Sequence, residues 1–244
     1  MRREIVLDGC VNFRDLGGYI AEGGQVRWRR LFRSDALHEL TGPDVAALRD
    51  LGLSTVIDLR SDFERSHDGG GPHPLAGIAD IIEAPVIDRH NGVVMGDTSL
   101  SLAQRYARIM ESSGTALADT VRAIAAAPGA AVFHCAAGKD RTGMVSAVVL
   151  GVLGVADEDV IADYALTGRN LARIEARLAG NAAYGRTAAY VPRDVMTADA
   201  ATMGELIADL RARHGGMAGL LDSLGAGPDV LARLRAALIE PVAL

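Results

Sequence analysis

The sequence predicts an α/β fold: a central, mostly parallel sheet flanked by helices, followed by a helical C-terminal third. Three observations predict it. Short apolar runs bounded by turn residues alternate with segments of helical period, which is the pattern that strands joined by crossover helices produce. Each run is apolar through its middle rather than alternating, as strands buried on both faces are. From Asp157 onward the period is almost wholly helical.

Taken in order, "TGPDVAALRDLG" (41–52) reads as a helix with a Thr cap and an early Pro, and "STVIDLR" (54–60) as a buried strand. "HDGGGPHP" (67–74) breaks the chain before a second strand, "IIEAPVI" (81–87), and "DRHNGVVMGD" (88–97) breaks it again. Two helical patterns follow, "SLSLAQRYARIMESS" and "TALADTVRAIAAAPG", then the strand "AAVFHC" (130–135) and the helix "RTGMVSAVVLGVLG". "NAAYGRTAAYVPRD" (181–194) is the last clear break. No linker composition marks a boundary, so one domain over 1–244 is expected, with the helical extension, about 157–244, packed on it.

Composition narrows the function classes. With 49% hydrophobic residues the chain can bury a sizeable core, and a net charge of −6 argues against a general nucleic-acid binder, which shows a basic face. It leaves room for an anionic substrate, because a site needs only local positive charge. The two cysteines, Cys10 and Cys135, cannot build a disulfide framework and point to a reducing compartment. The N-terminal "MRREIVLDGC" carries no apolar core of a signal peptide. The longest apolar run, 144–156, is too short to span a bilayer. A cytoplasmic protein with no integral membrane segment is expected; oligomeric state is not legible.

The stretch "HCAAGKDRTG" (134–143) carries the chemistry. A strand before it and a helix after it make it a loop feeding a helix N-terminus, where unpaired N–H groups and the positive dipole end favour an anion. A thiol held there, near Lys139, Arg141 and His134, gives up its proton more readily and becomes a nucleophile. Small Ala136 and Ala137 let the loop turn its amides inward, and Gly138 can take a backbone conformation closed to other residues. Arg141 can grip two phosphoryl oxygens bidentately, and Thr142 can hydrogen-bond the thiolate as it leaves. This set fits a two-step displacement through a cysteinyl-phosphate. A Walker A loop needs a different order, because Lys139 is followed by Asp140; a metal site wants further Cys or His nearby; a buried structural thiol leaves the cluster of Gly, Lys and Arg unexplained.

Cys-x5-Arg followed by Thr, after a strand and His134, resembles the protein tyrosine phosphatase superfamily, and the full loop is similar to its bacterial subgroup of tyrosine phosphatases with lipid-phosphatase character. "NFRDLGGY" (12–19), "RSDAL" (33–37), "VIDLRSDFE" (56–64) and "DYALT" (163–167) resemble the same subgroup. The likeness covers roughly residues 8 to 170 and, more loosely, the C-terminal "HGGMAGLLDSLGAGPDVLARLRAAL". It implies Cys135 as nucleophile, Arg141 as phosphate clamp, and loop amides from Ala136 to Arg141 on the phosphate oxygens. It also implies that Lys139 adds charge for multiply phosphorylated or phosphoinositide substrates, alongside phosphotyrosine and other phosphoproteins. No metal or cofactor is expected.

The proton donor to the leaving group is the open role. Asp140, inside the loop, is favoured by the resemblance, and a carboxyl beside a bound phosphate dianion favours its protonated form. Asp97 and Asp58 are the other candidates. Asp58 and Arg60 also read either as substrate-orienting groups or as an ion pair holding the loop. Asn12, Arg14 and Asp15 read as scaffold, Asp163 and Tyr164 as packing against the loop, and "RWRR" (27–30) as an exposed hairpin. His67, His73 and His90 read as solvated loop residues, and Cys10 as a small buried apolar group or a resolving thiol for Cys135. Two other function classes stay open: thiolate-based sulfur or arsenate transfer, and a phosphate-binding module without turnover.

Overall fold

The computed structural model describes residues 2–67, 72–87, 91–113, 115–180 and 192–242; His90 lies outside them. Among these residues the chain runs β1 (Arg14–Asp15), β2 (Ile20–Ala21), β3 (Gly24–Val26), β4 (Leu31–Ser34), α1 (Gly42–Asp50), β5 (Leu53–Asp58), α2 (Asp62–Ser66) and β6 (Asp80–Glu83). It continues with α3 (Leu102–Ser112), α4 (Ala116–Ala126), β7 (Ala130–His134), α5 (Asp140–Val152), α6 (Asp157–Leu166) and α7 (Leu171–Ala179). The last elements are α8 (Ala200–His214), α9 (Met217–Ser223), α10 (Pro228–Leu238) and β8 (Ile239–Glu240).

The main sheet has the order β1-β4-β7-β5-β6, parallel except for β1, so the α/β expectation holds. Both neighbours of β7 run parallel to it and end level with it: Ser34 lies opposite His134 on one side and Asp58 on the other. The loop after β7 therefore opens at the carboxyl edge of the sheet, where ligands of open α/β folds bind. Strand periodicity sends alternate side chains to opposite faces. Leu31, Ile57 and Phe133 enter one core with α3, α4, α5, α8 and α10. Phe32, Val56 and Val132 enter a second core with Leu48 of α1. Thr41 caps α1 as expected, in a reciprocal capping box with Asp44.

Two features depart from the sequence reading. The buried strand β4 was hidden by its composition, "LFRS", whose Arg33 is fully buried. The C-terminal third is helical through α10 but ends in β8, which pairs with β3 in a small sheet of order β2-β3-β8. "RWRR", expected as an exposed hairpin, exposes Arg27 and Arg29 but is a turn from β3 of the small sheet to β4 of the main one; Arg27 donates to the Ile239 carbonyl and Arg30 to the carbonyls of Ala127 and Pro128. No helix among the described residues is long and apolar enough to cross a membrane.

Candidate active site

The loop from Cys135 to Arg141 joins β7 to α5, and its carbonyls are tied outward one after another. The Ala36 amide donates to the Ala136 carbonyl at 3.1 Å. Asn12 Nδ2 donates to the carbonyls of Ala137 (3.3 Å) and Gly138 (3.1 Å), and Arg33 Nη2 donates to Gly138 at 2.8 Å. In a trans peptide the C=O and the following N–H point in opposite directions, and the chain has no cis bonds. Anchoring the oxygens of residues 136–138 therefore turns the amides of residues 137–139 toward the loop's interior. Among the described residues, no protein group accepts from the amides of Ala136 to Asp140 outside the helix. Lys139 stands at the helix N-cap without a side-chain cap. Unpaired amides at a helix N-terminus are able to receive an anion.

Gly138 is required for this shape. Its φ is +64°, and a Cβ there would lie 2.6 Å from both the Ser34 carbonyl oxygen and the Asp35 amide nitrogen. The loop thus rests on the end of β4 without space for a methyl group.

The anchoring donors are themselves held by a buried ion cluster. Asp163 of α6 accepts from Arg14 Nε (2.9 Å) and Arg33 Nη1 (2.5 Å), with all three side chains at most 2% exposed. Arg14 also donates to Asn12 Oδ1 at 2.7 Å. Burial, then Arg14, pushes Arg33 down to about 10, which leaves it protonated at neutral pH. Burial opposes the charge on Asp163, but Arg14 and Arg33 outweigh it and hold the carboxyl at about 2. Asn12 and Arg14 are therefore scaffold, and Asp163 packs against the loop through them. Tyr164 packs against the first turn of α5 instead, where its ring would meet any Cβ on Gly143 at 2.8 Å.

At the base of the loop Cys135 is 1% exposed, and Thr142 Oγ1 donates to its sulfur at 3.2 Å. At the rim, Arg141 donates through both terminal nitrogens to the two oxygens of Glu64, each at 2.6 Å. Glu64 was missed in sequence. The Ser61–Glu64 capping box of α2 was legible, but not its reach to a loop 77 residues away. Asp140 Oδ1 accepts from Tyr106 Oη at 2.5 Å and lies 3.1 Å from Lys139 Nζ. The Lys139 ammonium also donates to the carbonyls of Val195 and Thr197. Cys135, Ala136, Ala137, Lys139, Asp140 and Arg141 line a cleft of about 390 Å³, completed by Leu171, Ile174, Glu175, Leu178 and Ala179 of α7 and by Val195 and Met196, a mostly apolar set.

Three expected roles meet contrary geometry. His134 is fully buried, and burial lowers it to about 4, so it is neutral at pH 7 and supplies no charge to Cys135. Asp58 and Arg60 pair with one another, Oδ2 to Nη2 at 2.7 Å, and are 1% and 3% exposed; neither lines the cleft. Burial works against the Asp58 carboxylate, yet His134 when charged and the Arg60 guanidinium hold it well below the usual range, the state of an ion pair rather than an acid. Asp97 also lies outside the cleft lining, and its carboxyl, bonded by the Ser99 hydroxyl (2.6 Å) and amide (3.0 Å), is held below its ordinary value by those bonds. Cys10 packs in the second core, whereas Cys135 packs in the first, and burial pushes the Cys10 thiol up to about 12. No group of three or more metal-ligating side chains occurs among the described residues.

The chain is 34% identical over 198 residues to a protein of Cupriavidus necator named as a tyrosine-protein phosphatase, covering 73% of this chain and 70% of that one. It is 29% identical over 202 residues to the triple specificity protein phosphatase PtpB of Mycobacterium tuberculosis, covering 70% and 72%. A tyrosine-protein phosphatase of Nostoc commune matches at 27% over 223 residues, 84% of this chain and 73% of that one. Superposition on the P. aeruginosa TpbA crystal structure is slight, with 18% identity over 67% of this chain and 88% of that one and a TM-score of 0.32. A model of the tyrosine phosphatase family matches residues 5–240, and the chain belongs to that family.

Proposed function

We propose that this chain hydrolyses phosphomonoesters through a cysteinyl-phosphate, with Cys135 as nucleophile and Arg141 as the phosphate clamp. The observation that carries the reading is the loop itself: outward-tied carbonyls, inward amides, and Thr142 on the Cys135 sulfur. Cys135 Sγ attacks phosphorus while the loop amides and Arg141 hold the equatorial oxygens, and the ester oxygen leaves with a proton from Asp140. Water then attacks the phosphoenzyme and returns that proton to Asp140, and Thr142 receives the departing thiolate. Ala136, Ala137, Gly138 and Lys139 act through their backbone. Asp58, Arg60 and His134 support the end of β5 and β7.

Phosphotyrosine is the substrate this cleft fits best, since an aryl group suits the Leu171, Ile174 and Leu178 wall. Lys139 was expected to favour a second phosphate. Its ammonium has three donors, and two carbonyls and the Asp140 carboxylate already face it, so a second phosphate has to displace them. Sulfur or arsenate transfer through a second thiol finds no support, because Cys10 lies in the other core.

The test is turnover of an aryl phosphate by wild type, Cys135→Ser and Arg141→Ala, each with and without chelator. Turnover independent of chelator and abolished by Cys135→Ser is expected; turnover that survives Cys135→Ser removes the proposal. Phosphopeptides and phosphoinositide head groups, assayed side by side, rank the substrates.

A further inference from the structure

Tyr106 is buried on the inner face of α3, in the first core. Its hydroxyl nevertheless reaches Asp140 Oδ1 at 2.5 Å and Tyr164 Oη of α6 at 2.9 Å. A tyrosine hydroxyl has one proton and can also accept. Burial, then the neighbouring Asp140 charge, pushes the Tyr106 hydroxyl well above its ordinary range, so it remains a donor. Its proton goes to Asp140, which obliges Tyr164 to be the donor in the tyrosine pair. The result is a directed chain, Tyr164 to Tyr106 to Asp140, in which each bond polarises the next.

The chain makes the two oxygens of Asp140 unequal. Oδ1 accepts from Tyr106 and faces the Lys139 ammonium, whereas no described residue donates to Oδ2. A protonated carboxyl with donors on one oxygen carries its own hydrogen on the other. We propose that Tyr106, backed by Tyr164, is a positioning residue that fixes the Asp140 proton on Oδ2, the oxygen left to meet the leaving group. This rests on the reading of Asp140 as proton donor.

Consecutive residues of α6 thereby serve different parts of the site. Asp163 sets the loop backbone through Arg14 and Arg33, and Tyr164 sets the acid through Tyr106.

The experiment compares phenyl phosphate, whose leaving group needs a proton, with p-nitrophenyl phosphate, whose leaving group scarcely does. Asp140→Asn is measured first, and an equal loss on both substrates would defeat the proton-donor reading itself. Given a selective loss there, Tyr106→Phe should lower kcat on phenyl phosphate about 10- to 30-fold and on p-nitrophenyl phosphate less than about threefold. The double variant Tyr106→Phe/Asp140→Asn should be no slower on phenyl phosphate than Asp140→Asn alone, since one residue acts through the other. Inhibition by vanadate, which reports the cradle, should stay within about twofold of wild type. Equal losses on both substrates, or losses that multiply in the double variant, overturn the positioning role. Should Tyr106→Phe fail to fold, Tyr164→Phe carries the test: it keeps the Tyr106–Asp140 bond and should give a smaller loss with the same selectivity, and an unselective loss overturns the proposal.

Discussion

Asp163 is the residue whose loss should damage the site most without touching substrate. Its carboxylate joins two guanidiniums, Arg14 at 2.9 Å and Arg33 at 2.5 Å, and all three groups are out of contact with water. Asp163→Asn keeps the shape but removes the charge and turns an N–H toward two cations. Breaking a buried pair from one side costs about 3–5 kcal/mol, because the remaining charge stays buried and uncompensated. For a chain of this size about 1 kcal/mol moves Tm by roughly 2–4 °C, so a fall of about 6–20 °C is expected. Arg33 also holds the Gly138 carbonyl, and a displacement of about 1 Å in a catalytic loop costs on the order of 100-fold in kcat/KM. The assay is thermal unfolding at neutral pH, with aryl phosphate turnover measured well below either Tm. The exposed pair Arg49–Asp50 is the control: at 64% and 72% exposure, Asp50→Asn should change stability by less than about 0.5 kcal/mol. The sign in pH follows from the same geometry. Folding lowers the Asp163 carboxyl from its ordinary 3.8 to about 2, so its contribution is complete above pH 4 and is lost as pH falls through 2. This part, roughly 2–3 kcal/mol, should vanish from the acid limb of the Asp163→Asn stability curve. A variant that melts within about 2 °C of wild type and turns over normally would refute the reasoning.

Two further substitutions probe the cradle and its clamp. Gly138→Ala forces an L-residue into φ +64°, which costs about 1–2 kcal/mol, and drives a methyl group against the backbone of Ser34 and Asp35. Vanadate affinity should fall on the order of 100-fold, measured by inhibition of aryl phosphate turnover. Glu64→Gln keeps the α2 capping box, which accepts Gln as well as Glu, but removes the carboxylate that competes with an incoming phosphate for Arg141. Inorganic phosphate should then inhibit roughly 3- to 10-fold more strongly, worth about 1 kcal/mol; unchanged inhibition would show that Glu64 and phosphate do not share the guanidinium.

What was legible in the sequence followed from local rules. "AAVFHC" and "RTGMVSAVVLGVLG" change period on either side of the loop, so β7, the cradle and α5 could be placed without knowing their neighbours. Helix α1 was marked by its Thr41 cap and early Pro. The misses depend on contacts distant in sequence. Strand β4 carries Arg33, a residue that strands rarely bury, and its burial makes sense only once Asp163 and Gly138 are seen against it. Glu64 and Tyr106 satisfy local rules completely, as a capping residue and as a core-facing aromatic, so nothing in their own segments points to Arg141 or Asp140. His134 fails in the opposite direction. Its residue type promised positive charge beside the thiol, and complete burial removes that charge.

Supports of the cradle and supports of the proton donor enter the loop from different directions, which makes their failures separable. Asn12, Arg33 and the Ala36 amide hold carbonyl oxygens, so they govern where the amides point and hence how tightly any phosphoryl group is bound. Tyr106 and Tyr164 hold one carboxylate oxygen and leave those carbonyls alone. Weakening the first group should therefore raise KM and the vanadate inhibition constant for good and poor leaving groups alike. Weakening the second should leave vanadate unaffected and lower kcat in proportion to the basicity of the leaving group. A substitution in one group that produced the other's kinetic signature would mean that the loop moves as a unit. The peptide orientation and the acid's orientation would then be one property of the fold rather than two.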